Sequence, residues 1–461
     1  MMEEARILLI GQQATEATAA AHMRRRVMAL AWPVMAEMAL QTFTQMVDMA
    51  MVGRLGHVAI ASVGISFRPL FIGHALFLGL GTAATAMVAR YTGARDEEQA
   101  NAAAEQALLS SLGIALAFGA FIFFFAPSIT TLMGGTAEVI PQSAQYMRGM
   151  APGMVSLLMA TMITSSLRGA GDTRTPMLVN ISSNVFNILA NYTLIFGHFG
   201  FPRLEVYGAG IATSSARVLA LAVLLYISLR GNKVIRMRLN RLVRPDWDLI
   251  RRLFAIGLPA AAERLVLSIG LAIHLRLVAG LGTLAIASAT LAGNIEQLSF
   301  MPALGFSIAA SALVGQGLGA QDPERARLAT RESARLASAF MGIMGILFLA
   351  FPGLLVRLFT DDPQLLGPSI TLVRLVAFAQ IPTALAQVFS GALRGAGDTT
   401  SVLSITLSGT LVARLALTFL LINLLGLGLW AAWAAVIVDW VLRAYLAYRT
   451  FNRGRWQQVR V

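Results

Sequence analysis

The sequence predicts an all-α polytopic membrane protein with twelve transmembrane helices. They form two six-helix lobes related by a pseudo-two-fold axis along the membrane normal. Three observations carry this prediction. The 461 residues are 57% hydrophobic and 13% charged, with a mean hydropathy of +0.69, and a soluble chain of this length would need far more charged surface. Apolar runs of about 20 residues, enough to cross a bilayer core, recur along the chain. The second half also repeats the first without a gap.

Hydropathy places the spans near residues 28–51, 61–88, 101–125, 139–167, 175–197, 207–229, 252–277, 286–314, 328–351, 366–393, 400–423 and 428–449. The runs are continuous and do not alternate over segments of about ten residues, which excludes a transmembrane β-barrel. Arginines cluster in every second loop: Arg24–Arg26, Arg90 and Arg95, Arg168 and Arg174, the run from Arg230 to Arg252, Arg325 to Arg331, Arg394 and Arg449–Arg460. The loops between them offer little beyond Arg54, Arg203 and Arg357. The positive-inside rule therefore predicts a multi-pass protein of the plasma (inner) membrane with both termini cytoplasmic. It also accounts for the net charge of +13 without nucleic acid.

The chain has no cysteine, hence neither disulfides nor thiolate metal sites. Its first 22 residues lack the plan of a signal peptide and read as a loosely ordered cytoplasmic tail. The expected organisation is a tail (1–23), a first lobe (24–230), a polar cytoplasmic linker (231–251), a second lobe (252–450) and a C-terminal tail (451–461).

LRGAGDT at Leu167–Thr173 recurs at Leu393–Thr399, an offset of 226 residues. Pro33 and Pro259, Glu37 and Glu263, Arg148 and Arg374, and AIAS at Ala59–Ser62 and Ala285–Ser288 match at the same offset. Six spans per repeat is an even number, so both halves enter the membrane in one orientation, with a cleft expected between them. The LRGAGDT glycines permit turns with φ > 0, and Asp172 and Asp398 are placed to cap the helices that follow. The motif lacks a P-loop lysine, which favours a structural role over phosphate binding.

Span one carries Glu37, Gln41, Thr44 and Asp48 at i, i+4, i+7 and i+11. They form one stripe, about 16 Å long, on one helical face. A carboxylate costs about 2.5–3.5 kcal/mol at a bilayer centre on insertion scales, so this face must look into protein or water. Span five carries a second stripe at the same spacing, Asn180, Asn184, Asn187 and Asn191. Glu37 has a partner in the repeat, whereas Asp48 is matched by His274 and the four asparagines by Thr406, Thr410, Ala413 and Leu417.

An asparagine ladder is by itself compatible with interhelical packing. Beside two carboxylates it points to a hydrated cation chamber, with Na⁺ ligation at Asp48, Asn187 and Asn191 or protonation of a carboxylate as the two options. Arg68 and His74 on span two are candidates for the same cavity, with snorkelling of Arg68 to an interface as the alternative. Glu263, His274 and Glu296 are the second-half cavity candidates. Asp439 and Arg443, spaced i, i+4, fit an internal ion pair. No GxSxG, HExxH or Walker sequence is present, so the chain is not expected to be an enzyme. No cofactor is expected beyond a coupling ion, H⁺ or Na⁺.

PVMAEMALQTFTQMVDMAMVGRLG in span one, the duplicated LRGAGDT, and VGQGLGAQ at Val314–Gln321 resemble the multidrug and toxic compound extrusion (MATE) family, in its bacterial NorM- and DinF-like forms. The resemblance covers about residues 28–450 and implies a secondary active antiporter. Such a protein exchanges H⁺ or Na⁺ for organic, often cationic amphipathic compounds by alternating access of two lobes. It implies drug-like small molecules and the lipid bilayer as partners, no nucleic acid, and a monomer. The family's first-lobe aspartate falls on Asp48, and its span-five N-x-x-x-D spacing falls on Asn187 and Asn191. The stretches matching second-lobe acids in spans seven and ten carry none. A flippase for lipid-linked saccharides is the alternative within transport, although such proteins resemble fourteen-span chains with arginine-rich cavities.

The charge pattern predicts that single cysteines placed at Asn232 and at Thr136 label from opposite faces of the membrane. Labelling of both by an impermeant maleimide added outside would overturn the span assignment.

Overall fold

In the computed structural model, residues 2–231, 235–238 and 244–459 are described, with side chains from residue 17 onward except at 68, 72, 75 and 76. Among them every expected span falls on a helix, to within one residue at its ends. The first half comprises α1 (Met2–Gly53), α2 (His57–Gly93), α3 (Glu97–Leu132), α4 (Val139–Gly169), α5 (Arg174–Phe196) and α6 (Glu205–Arg230). The second comprises α7 (Trp247–Ala279), α8 (Thr283–Gly319), α9 (Pro323–Ala350), the short α10 (Pro352–Arg357), α11 (Pro363–Gly395), α12 (Thr399–Leu424) and α13 (Leu429–Asn452). Nine helices among the described residues are long and apolar enough to cross a membrane by composition alone; α1, α2 and α5, which include both polar stripes, are not among them.

From Met2 onward α1 is continuous for 52 residues, in keeping with the helix-forming stretch EATAAAHMRRR. The described residues group into two compact units. One comprises Met1–Met35 and Val266–Arg460, the other Ala36–Leu265. The division thus falls inside α1 and α7, each of which contains an internal proline, Pro33 and Pro259. Proline leaves the residue four positions earlier without its usual backbone donor, a natural place for a helix to change its packing partner. Part of the expected 231–251 linker, residues 232–234 and 239–243, lies outside the described residues.

Within the unit Ala36–Leu265, α4 is the central helix and packs on α2, α3 and α6. Small residues set the closeness of these contacts, as expected where no hydrophobic force pulls helices together in lipid. A Cβ on Gly153 would lie 2.5 Å from the Ser214 Cα. Buried hydroxyls tie α2, α3 and α4 together: Ser143 Oγ lies 2.7 Å from Ser66 Oγ and 2.9 Å from Thr130 Oγ1. The remaining linker lies along α3, where Arg236 N–H donates to Asn101 Oδ1 (2.8 Å) and Asp246 N–H donates to Gln106 Oε1 (3.1 Å).

In the other unit α11 is central and packs on α8, α9 and α13. The start of α1 is fastened there. Glu332 of α9 is fully buried and accepts from Arg24 Nε (2.6 Å) and Arg335 Nη1 (2.7 Å).

The duplicated motif behaves alike in both units. Gly171 and Gly397 adopt φ of 92° and 90°, which non-glycine residues avoid. Asp172 Oδ1 accepts from the Thr175 N–H (3.0 Å) and Asp398 Oδ1 from the Ser401 N–H (3.2 Å), so both cap the next helix. Gly169 and Gly395 let helices touch: a Cβ on Gly169 would sit 2.5 Å from the Thr85 carbonyl oxygen, and one on Gly395 would overlap that of Ser311.

Gly395→Ala is therefore expected to cost about 1–3 kcal/mol and lower the melting temperature of the purified protein. Gly113→Ala, where an added Cβ meets nothing within 4 Å, should leave it unchanged or raise it. Equal effects would show that close approach at the motif does not govern stability.

Candidate functional site

The two polar stripes meet within the unit Ala36–Leu265. Glu37 is held at the cytoplasmic end expected for span one, where Asn180 Nδ2 donates to Oε1 (2.7 Å) and Arg168 Nη2 donates to Oε2 (2.8 Å). Arg168 belongs to LRGAGDT, so the repeated loop is joined to the α1 stripe by an ion pair. Both side chains are largely buried, at 12% and 16% exposure. In that setting the pair neutralises a charge that would be costly alone.

Eleven residues along α1, Asp48 is held differently. Its Oδ1 accepts from Asn191 Nδ2 at 2.6 Å. The same amide reaches Asn187 Oδ1 (3.3 Å), and Asn187 Nδ2 donates to Thr213 Oγ1 on α6 (3.2 Å). A polar chain thus runs from α1 through α5 to α6, with Asn187 and Asn191 both buried. Arg217 lies one turn beyond Thr213 on α6, and its Nη1 donates to Met154 Sδ of α4 (3.2 Å). Glu37 thus meets a guanidinium directly, and Asp48 accepts a hydrogen bond from an amide.

The other candidates are distributed as follows. Asn184 is half-buried on the α5 face and Gln41 is exposed. Thr44 is buried and donates to its own helix at the Leu40 carbonyl (2.9 Å), so it serves packing. His74 is half-buried on α2, and the Arg68 side chain lies outside the described residues. Glu263, 4% exposed, is in the same unit on α7. His274 and Glu296 belong to the other unit.

That other unit has a different polar centre. Asp439 is fully buried and forms ion pairs with Arg443 and with Arg414 of α12 (2.8 Å). Arg443 Nη2 also donates to Thr410 Oγ1 (2.8 Å). Here α12 winds as a π-helix over Ser408–Ala416, a form that commonly marks functional or strained sites. A Cβ on Gly409 would overlap Asp439 Oδ1. The i, i+4 spacing of Asp439 and Arg443 is thus an internal ion pair. His274 packs edge-on against Trp433, with ring centroids 6.0 Å apart, and lies 3.3 Å from Thr418 Oγ1.

Arg168, Thr213 and Arg217 were not singled out from the sequence. The signal existed at the 226-residue offset: Arg168 repeats as Arg394, and Arg217 repeats as Arg443. Among the described residues no group of three or more His, Asp or Glu side chains is placed to hold a metal ion. A cation at Asp48 would be ligated by one carboxylate and neutral amide oxygens, and it would be cargo, not a resident cofactor.

The helices group into two units, and an acid and amide chain is buried in one of them. The family model MatE matches the chain twice, over residues 33–193 and 259–420, and the chain belongs to this family of MATE efflux transporters. It is 31% identical over 440 residues to a probable multidrug resistance protein NorM of Thermotoga maritima, covering 95% of this chain and 94% of that one. It is 28% identical to the multidrug resistance protein PmpM of Pseudomonas aeruginosa, covering 94% and 87% of the two chains. A solved MOP superfamily transporter from Pyrococcus furiosus shares the fold, with a TM-score of 0.86 at 24% identity over 95% of this chain and 97% of that one.

A double-mutant cycle on Glu37→Gln and Arg168→Gln tests the clamp. Each single change should destabilise the purified protein by about 1.5–3 kcal/mol. The double variant should lose at least about 1 kcal/mol less than the sum. Strict additivity would mean that the two side chains do not act on each other.

Proposed function

We propose that this chain is a secondary active multidrug efflux antiporter with Asp48 as its coupling carboxylate. It exchanges H⁺ or Na⁺ for organic, often cationic amphipathic compounds by alternating access of its two lobes, as a monomer in the plasma membrane with both termini cytoplasmic. Family membership and the multidrug resistance names of its relatives support the substrate class. The observation that carries the assignment is the polar chain Asp48–Asn191–Asn187–Thr213.

An antiporter needs a site whose occupancy by an ion disfavours the drug-bound state, with the two linked through two conformations. Asp48 meets that chemistry. Taking up a proton removes its charge and reverses its hydrogen-bonding preference toward Asn191. Na⁺ instead recruits the carboxylate together with amide oxygens of Asn187 and Asn191. Either event passes along the amide chain to α5 and α6, so one titration repacks three helices. Gln41, His74 and Glu263 are assigned to the drug-facing side, and Glu37 to the scaffold through Arg168.

Asp48→Asn should insert and purify normally, because removing a buried charge also removes a desolvation cost. In proteoliposomes it should lose at least about tenfold of dye efflux driven by an imposed proton or sodium gradient, or about 1.4 kcal/mol of coupling. Imposing the two gradients separately identifies the ion. Near-normal efflux by Asp48→Asn under both would sink the assignment.

A further inference from the structure

Between α9, α11 and α13 lies a groove of about 480 Å³ that the transport reading does not use. It sits at the end of the unit where α9 begins and where α11 and α13 finish. One wall is arginine: Arg327, Arg331 and Arg335 follow at i, i+4 and i+8, all exposed, about 12 Å apart from first to last. The floor is aromatic. Phe389 of α11 lies 5.4 Å from Tyr448 and 5.5 Å from Phe451 of α13, centroid to centroid.

Among the described residues no carboxylate lines the groove. Arg327 pairs loosely with exposed Glu324 (3.6 Å), and Arg335 shares buried Glu332 with Arg24. Arg331 forms no ion pair among the described residues. The groove thus sets a basic wall, with Arg331 at its middle, over an aromatic base.

The repeat shows that the fold does not require this stripe. At the 226-residue offset the matching residues of α3 are Asn101, Glu105 and Leu109, with no base among them. There the face is covered by the linker, whose Arg236 and Arg238 amides donate to Asn101 and Glu105. In one copy this helix face receives a segment of the chain itself; in the other it carries three arginines.

We propose that the groove is a binding site for an anionic glycerophospholipid. The phosphodiester sits on the arginine wall and the first part of an acyl chain lies along Phe389 and Tyr448. Guanidinium groups bind phosphate oxygens in a fork geometry, and basic pockets between helices at the cytoplasmic side favour anionic headgroups. A charged wall that grades into aromatic rings within one groove suits an amphiphile and not a free anion. Placement in the cytoplasmic leaflet rests on the orientation proposed above.

The test is native mass spectrometry of the full-length, delipidated transporter, titrated with phosphatidylglycerol or phosphatidylcholine of identical chains. Wild type should take up phosphatidylglycerol at about tenfold lower concentration than phosphatidylcholine. Arg327→Ala/Arg331→Ala should erase that preference, Arg331→Lys should keep most of it, and Arg174→Ala, at an exposed arginine of the other unit, should leave it intact. Gel filtration checks that each variant is folded; if the double variant is not, Arg331→Ala against Arg331→Lys carries the test. Equal binding of the two lipids by wild type, or unchanged preference in folded variants, would overturn the proposal. So would one-for-one displacement of lipid by millimolar inorganic phosphate, which would make the groove a free-anion site. Lipid uptake is read without transport, so failure here leaves the antiport reading standing.

Discussion

Two carboxylates on one face of α1 have to be satisfied inside an apolar bundle, and much of the first-half architecture follows from how that is done. A span with uncompensated acids at Glu37 and Asp48 would be expelled or would neutralise itself. The solution is a second helix with amides at the same spacing. Asn180 meets Glu37 and Asn191 meets Asp48, so an 11-residue separation on α1 is matched by an 11-residue separation on α5. The register between the two helices is fixed at both ends. Arg168 then closes the Glu37 end, which explains why the loop motif that carries it serves more than a turn.

The two acids consequently differ in kind. Glu37 lies in direct contact with the Arg168 guanidinium, and removing either partner would leave the other's charge uncompensated. A carboxylate that accepts from an amide can trade that bond for a proton or a metal ion at smaller cost. In the other unit the acid Asp439 is fastened by Arg414 and Arg443, and α12 takes a π-helical path around it. The two copies thus differ in their polar centres, an acid between two arginines in one and an acid on an amide chain in the other, while Arg217 and Arg443 match at the repeat offset.

Much of this was legible in the sequence. Hydropathy gave the spans, the offset of 226 gave the repeat, and helical spacing paired Glu37–Asp48 with Asn180–Asn191 before any contact was known. The rest was not legible for identifiable reasons. Arg168 lies in a loop by hydropathy, and nothing local says that its long side chain folds back against α1. Arg217 was hidden in an apolar span whose charge only the repeat comparison brings out. The π-helix of α12 is invisible to propensity, which does not separate i→i+5 from i→i+4 bonding. The division of the compact units within α1 and α7 is invisible too, because polarity marks the linker while packing follows the internal prolines.

The central claim is that Asp48, and not Glu37 or Asp439, exchanges the coupling ion. Charge movement measured on a solid-supported membrane after a pH or sodium jump, with no drug present, reads that exchange directly. The account predicts a transient current in wild type that survives in Arg414→Lys and is absent in Asp48→Asn. A current of wild-type size in folded Asp48→Asn would contradict it and place the exchangeable charge elsewhere in the protein.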